Sequence, residues 1–102
     1  LERWVETCCT TPARMFGLSD KGAIAPGMDA DIVVWDPNGH TKLGINDKHH
    51  MNMDHSAWEG FEIDGKVDTV ISRGRVVVEN DTFTGSVGHG RFVKRGLSEY
   101  IV

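Results

Sequence analysis

A mostly β fold with N-terminal helices is what this sequence predicts, on three observations. Ile32–Trp35 is a β-branched and aromatic run with almost no alternation, the pattern of a strand covered on both faces. Val67–Ser72 and Arg75–Glu79 flank Arg73-Gly74 and read as a hairpin. Ahead of these, Leu1, Trp4, Val5 and Cys8 recur at i, i+3, i+4 and i+7, the spacing of one helix face.

In chain order, the first helix is expected to run about two turns. Thr11 suits an N-cap and Pro12 the first helical position, so a second short helix is placed at Pro12–Phe16. Gly17 closes it as the left-handed residue, and Ala13 and Phe16 share a face that packs inward with Leu18. Gly22–Ala25 is expected as a short strand. Pro26-Gly27 suits the central positions of a type II turn, where Pro fixes one φ and Gly allows the positive φ that follows. Asp36-Pro37-Asn38-Gly39 is turn chemistry and should end the strand begun at Ile32. Thr41–Ile45 is a further strand candidate. Asn46–Gly60 is polar and aperiodic, a loop long enough to be functional or contact-making. In the hairpin, a two-residue loop would set Ile71 opposite Val76 and Val70 opposite Val77. Asn80-Asp81 makes another turn, Phe83 begins a last short strand, and Gly85–Gly96 is an irregular arm ending in the amphipathic tail Leu97–Val102.

Composition narrows the function classes. The chain has 102 residues, enough for one domain with a modest core, and 39% apolar with 25% charged residues suits a soluble globular protein. Three Trp and four Phe argue against disorder. A net charge of −4 offers nucleic acid no basic footprint; the cluster Arg91, Lys94 and Arg95 reads as a solvated or subunit-contacting tail. No apolar run approaches the ~18 residues of a membrane span, and no signal-peptide pattern opens the chain. Neither nucleic acid nor membrane is therefore an expected partner. Cys8 and Cys9 are adjacent and alone, so there is no disulfide framework, which fits a reducing cytosol and a cytoplasmic location. Leu1 stands inside the helical pattern with no initiator Met or cap, so the chain reads as a processed or excised part of something longer.

Each candidate for chemistry has a plainer reading. His49, His50 and His55, with Asp54 between, offer metal-ligand types, but their spacing matches no standard site and they read as loop histidines. Asp29 and Asp31 form a carboxylate pair of the kind used in acid–base work. Following a turn and opening a strand, they are better read as acceptors for backbone N–H groups. Cys8 lies on the apolar helix face and reads as a small core residue rather than a nucleophile. Gly88-His89-Gly90 lacks the spacing and the strand–helix context of a phosphate loop. No catalytic, cofactor-binding or metal-ligating residue is assigned in this chain.

Thr11-Pro12-Ala13-Arg14-Met15-Phe16-Gly17-Leu18, then Lys21-Gly22, Ile24, Gly27 and Asp29-Ala30-Asp31-Ile32-Val33, resemble the signature that closes proteins of the amidohydrolase superfamily. His49-His50, Trp58-Glu59-Gly60, Ser72-Arg73-Gly74-Arg75-Val76-Val77-Val78 and Gly88-His89-Gly90-Arg91-Phe92 are similar to the C-terminal part of dihydropyrimidinases and hydantoinases. The resemblance covers essentially the whole chain. It implies a parent enzyme whose chemistry lies in a TIM barrel, at two zinc ions held by histidines, an Asp and a carboxylated Lys. None of those ligand motifs maps onto this sequence. The fold it implies here is the C-terminal portion of the composite β-sandwich that flanks such a barrel. Residues 1–18 would be terminal barrel helices, 19–84 the sandwich portion and 85–102 a C-terminal arm. The partners it implies are the barrel and the N-terminal β segment of the same parent, with a homo-oligomer, dimer or tetramer, contacted by the arm.

The first functional reading is therefore a non-catalytic segment of a cyclic amidohydrolase of pyrimidine degradation. Its parent would hydrolyse a cyclic amide C–N bond to an N-carbamoyl amino acid. The alternative is a stand-alone β-sheet interaction module derived from that family, without enzymatic activity. A metal-binding histidine loop is the third reading.

Overall fold

The computed structural model describes residues 1–45 and 53–100. Helical structure opens the chain and an antiparallel sheet follows, so the mostly β architecture with an N-terminal helix is as the sequence predicts. Residues group into two compact units, one from Leu1–Asp31 with Val87–Val102, the other from Ile32–Ser86.

In the first unit, α1 (Glu2–Val5) passes through a π-helical turn (Glu6–Thr10) directly into α2 (Thr11–Met15). This corrects the expectation of two helices separated at Thr11. Thr11 has helical angles, φ −62° and ψ −48°, whereas an N-cap needs a non-helical backbone. Pro12 supplies the physical reason for the π turn. Inside a helix its ring crowds the carbonyl four residues back and its nitrogen donates nothing. Widening the preceding turn, with Thr11 N donating to the Glu6 carbonyl, lets the helix continue past it.

The helix ends as expected at Gly17, whose φ of +65° is left-handed. Leu18 N donates to the Ala13 carbonyl (2.8 Å) and Gly17 N to the Arg14 carbonyl (3.3 Å), the paired bonds of a Schellman close. Ala13 is the buried hydrophobic residue among those described, while Phe16 stays half exposed. Cys8 and Cys9 are both exposed free thiols, against the core role expected of Cys8, because none of the described residues covers that helix face.

Gly22–Ala25 is not a strand. Gly22 sits at φ +86° with its backbone against the helix: an added Cβ would lie 2.6 Å from the Ala13 Cβ, and its carbonyl accepts from Thr10 Oγ1 at 2.9 Å. Docking on the helix has taken the place of sheet pairing. Pro26-Gly27 does form the type II turn, with Gly27 at φ +88° and Met28 N donating to the Ala25 carbonyl (3.1 Å).

The second unit is an antiparallel meander in the order β1 (Ile32–Lys42), β2 (Glu62–Ser72), β3 (Arg75–Glu79), β4 (Thr82–Phe83). Strand β1 does not stop at Asp36 as expected. Its pairing with β2 resumes at His40, so Pro37, Asn38 and Gly39 bulge out opposite Gly65, and Asn38 N donates to Asp36 Oδ1 (2.9 Å). The turn chemistry is real but is used as a bulge inside a long strand. Gly65 is required there. Its φ is +102°, and a Cβ on it would stand 2.0 Å from Cζ2 of Trp35, whose indole lies on its backbone.

In the hairpin, Ile71 faces Val76 as expected, but a bulge then sets Val70 opposite Val78 rather than Val77. Arg73 and Gly74, at φ +46° and +77°, make the two-residue turn, and Asn80 and Asp81, at +48° and +60°, make the next. Covering of both faces of Ile32–Trp35 is not realised among the described residues. Val33 and Val34 point to opposite faces and are 56% and 45% exposed. Gly85–Gly96 carries no helix or strand, in keeping with its expected irregularity.

Candidate functional site

The best-organised cluster of charge lies in the helical unit, and turn geometry builds it. The Pro26-Gly27 turn reverses the chain, and Asp29 N donates to the Asp20 carbonyl (2.9 Å), closing a loop that brings Lys21 back to Asp29 and Asp31. Lys21 Nζ lies 2.7 Å from Asp29 and also bonds Asp31. From the arm, Arg91 reaches both oxygens of Asp29, at 3.1 and 3.3 Å.

Lys21 and Asp29 are four-fifths covered, at 20% and 19% side-chain exposure, so their attraction is less screened than that of a surface pair. The electrostatics agree with the geometry. Hydrogen bonds to Asp29 and then Asp31 raise the Lys21 ammonium above its ordinary pKa. The Lys21 hydrogen bond, followed by the charges of Lys21 and Arg91, holds the Asp29 carboxyl below its own ordinary range.

Chemically this is a clasp rather than a reaction centre. A general base works best with its pKa near the operating pH, whereas Asp29 is moved the other way and is occupied by two cations. The structural role expected for Asp29 thus has cationic side chains, Lys21 and Arg91, as partners rather than the backbone N–H groups anticipated, and Lys21 also reaches Asp31. Part of this had a signal in the sequence: Lys21 and the two aspartates flank a Pro-Gly turn. Arg91 carried no such signal.

Other candidates remain apart. His49 and His50 lie outside the described residues. His55 is exposed and bonds its neighbour Asp54 at 2.7 Å. His40, on β1, is 3.8 Å from Glu62 and 3.9 Å from Asp64 on β2. Among the described residues, no three His, Cys, Asp or Glu side chains converge as metal ligands. Those residues do not fit the dinuclear zinc site that the resemblance implies, so no reaction step is assigned to them. Gly88-His89-Gly90 sits in irregular chain, with Gly88 at φ +83° in a turn. In the sheet unit, Lys66 Nζ pairs with Asp81 at 2.8 Å, and that hydrogen bond raises its pKa. No helix among the described residues is long and apolar enough to cross a membrane.

A clasped helix end and a bulged antiparallel meander define a segment of the mostly β class with an N-terminal helix. The chain belongs to the amidohydrolase family, whose profile matches residues 1–77. Within that family it is 52% identical over 100 residues to a D-hydantoinase of Streptomyces coelicolor, covering 97% of this chain and 21% of that protein. The fold matches a D-hydantoinase from Bacillus sp. AR9 with a TM-score of 0.87 at 42% identity, over 97% of this chain and 22% of the other. It also matches a dihydropyrimidinase from Brevibacillus agri with a TM-score of 0.86 at 42% identity, over 96% and 21%. The chain spans about a fifth of the length of the curated relatives it matches.

Proposed function

We propose that this chain is the C-terminal, non-catalytic segment of a dihydropyrimidinase- or D-hydantoinase-type cyclic amidohydrolase. The observation that carries the reading is the 52% identity that runs through nearly all of this chain yet meets only 21% of the D-hydantoinase. In the parent reaction, water adds to a ring carbonyl carbon and the adjacent C–N bond breaks. The carbon becomes a carboxylate, and the nitrogen takes a proton as part of an N-carbamoyl amino acid. Two zinc ions with a carboxylated lysine would supply the hydroxide, held in a barrel outside these residues. The cytoplasm is the place proposed for this chemistry.

On this reading residues 1–18 end the barrel, 19–84 form the flanking sandwich portion and 85–102 the arm. The segment's work is mechanical: it supplies strands to a composite sandwich and contacts to a dimer or tetramer. Exposed apolar side chains support this. Val33, Val34, Ile63, Val76 and Phe83 of the sheet are all at least 39% exposed, a surface that gains by being covered. The same surface supports the second reading, an interaction module of this family without activity.

One assay tests the absence of activity common to both readings, and a second separates them. The chain alone with added zinc is expected to show no ring opening of hydantoin or dihydrouracil; turnover above background overturns the non-catalytic assignment. The chain is also expected to bind the Streptomyces D-hydantoinase truncated of its matching residues and restore its ring opening. Absence of both binding and restored activity favours the interaction module.

A further inference from the structure

We propose that the C-terminal arm, residues 87–100, is a strap fastened in cis across the end of the helical run, held by a charged clasp and a glycine crossing. The inference concerns the helical unit and does not depend on the enzyme reading. Three contacts carry it. Arg91 grips Asp29 through both carboxylate oxygens, at 3.1 and 3.3 Å. Gly96 N donates to the Gly17 carbonyl at 2.8 Å. Glu99 N donates to the Arg14 carbonyl at 3.1 Å, while the Glu99 carboxylate lies 3.4 Å from Arg14 Nε. The arm thereby gives the Gly17 carbonyl a donor and adds a further one to the Arg14 carbonyl, which Gly17 N already meets.

Hydrophobic burial contributes little to holding it there. Val93 is half-buried, but Val87, Phe92 and Leu97 are 107%, 92% and 95% exposed, so most of the apolar side chains of the strap face outward. A strap held mainly by polar contacts is detachable, because Arg91 is 60% exposed in its ion pair with the covered Asp29, and water and salt reach the pair from that side. Its seating depends on glycine at one position and not at the other. A Cβ on Gly17 would lie 2.3 Å from the Gly96 carbonyl oxygen, within forbidden contact, whereas a Cβ on Gly96 meets nothing closer than 3.7 Å.

Trypsin cleavage after Lys94 and Arg95, followed by mass spectrometry on the full chain, reads the open strap directly. Arg91→Gln is expected to raise the rate about threefold, the scale of one exposed ion pair. High salt should accelerate the wild type and leave that variant unchanged. Gly17→Asn keeps a residue tolerant of the left-handed backbone but adds the Cβ, and should open the strap further, by about tenfold. Gly96→Ala should cleave at the wild-type rate. Equal rates for Arg91→Gln and wild type overturn the clasp, and equal acceleration by Gly96→Ala and Gly17→Asn overturns the crossing. Protection that grows with chain concentration would place the strap between chains and overturn fastening in cis. Should circular dichroism show Gly17→Asn unfolded, Arg91→Gln decides alone, since its exposed side chain can change without disturbing the helix.

Discussion

Asp29 is the residue on which two cations converge, and its pH behaviour follows from the direction of each shift. Its folded pKa lies below the ordinary value of 3.8, so the stability it contributes is present above 3.8 and is lost as pH falls through the lower folded value. The Lys21 shift is upward, so its contribution is complete below 10.5 and is lost as pH rises through the raised folded value. The helical unit is expected to hold its stability between those limits and weaken outside both. Asp29→Asn should flatten the acid limb, measured as the urea midpoint against pH; an acid limb as steep as the wild type would deny Asp29 this role. Gly65 carries the other sharp expectation. Gly65→Ala combines a strained φ with a Cβ inside the Trp35 ring, and should cost roughly 2–4 kcal/mol in urea denaturation. A loss within error of zero would contradict the contact. The aspartates were visible in the sequence beside their turn. Arg91 was not visible as their partner, because a contact across that separation has no local signature.

Among the elements, those whose chemistry is local could be read from sequence. Pro26-Gly27, Gly17 and Asn80-Asp81 each adopt the backbone their residue types favour. The hairpin turn at Arg73-Gly74 also formed, although Arg takes a positive φ less readily than Asn would. Elements decided by competition between contacts depart from their local residue signals. Gly22–Ala25 has the residues of a strand, but the bare backbone of Gly22 is pressed on Ala13, and that contact won. Thr11-Pro12 has the residues of a helix start, but the π turn let one helix run through. Asp36–Gly39 became a bulge because β2 offers Gly65, which can turn aside to accommodate it. The clasp was half legible, and the site in the chemical sense was legible only as resemblance, since no ligand motif stood in the residues to be read.

At the scale of the molecule, the sheet lacks its covering layer among the described residues. Strand β1 stands at one edge of the meander, eleven residues long, with Val33 and Val34 exposed on its two faces. A long apolar edge strand recruits partners. The chain alone is therefore expected to self-associate through its sheet, seen by light scattering as mass rising with concentration. A monodisperse monomer at high concentration would contradict this. The same exposure is the physical ground for regarding these residues as part of a larger amidohydrolase. The most direct measurement is the size and sequence of the polypeptide made in the source cells, by immunoprecipitation and intact mass spectrometry. The expected product is about five times the length of this chain, with a His-x-His motif following a strand ahead of Leu1. A native product that begins near Leu1 would contradict the reading of this chain as an enzyme's C-terminal segment.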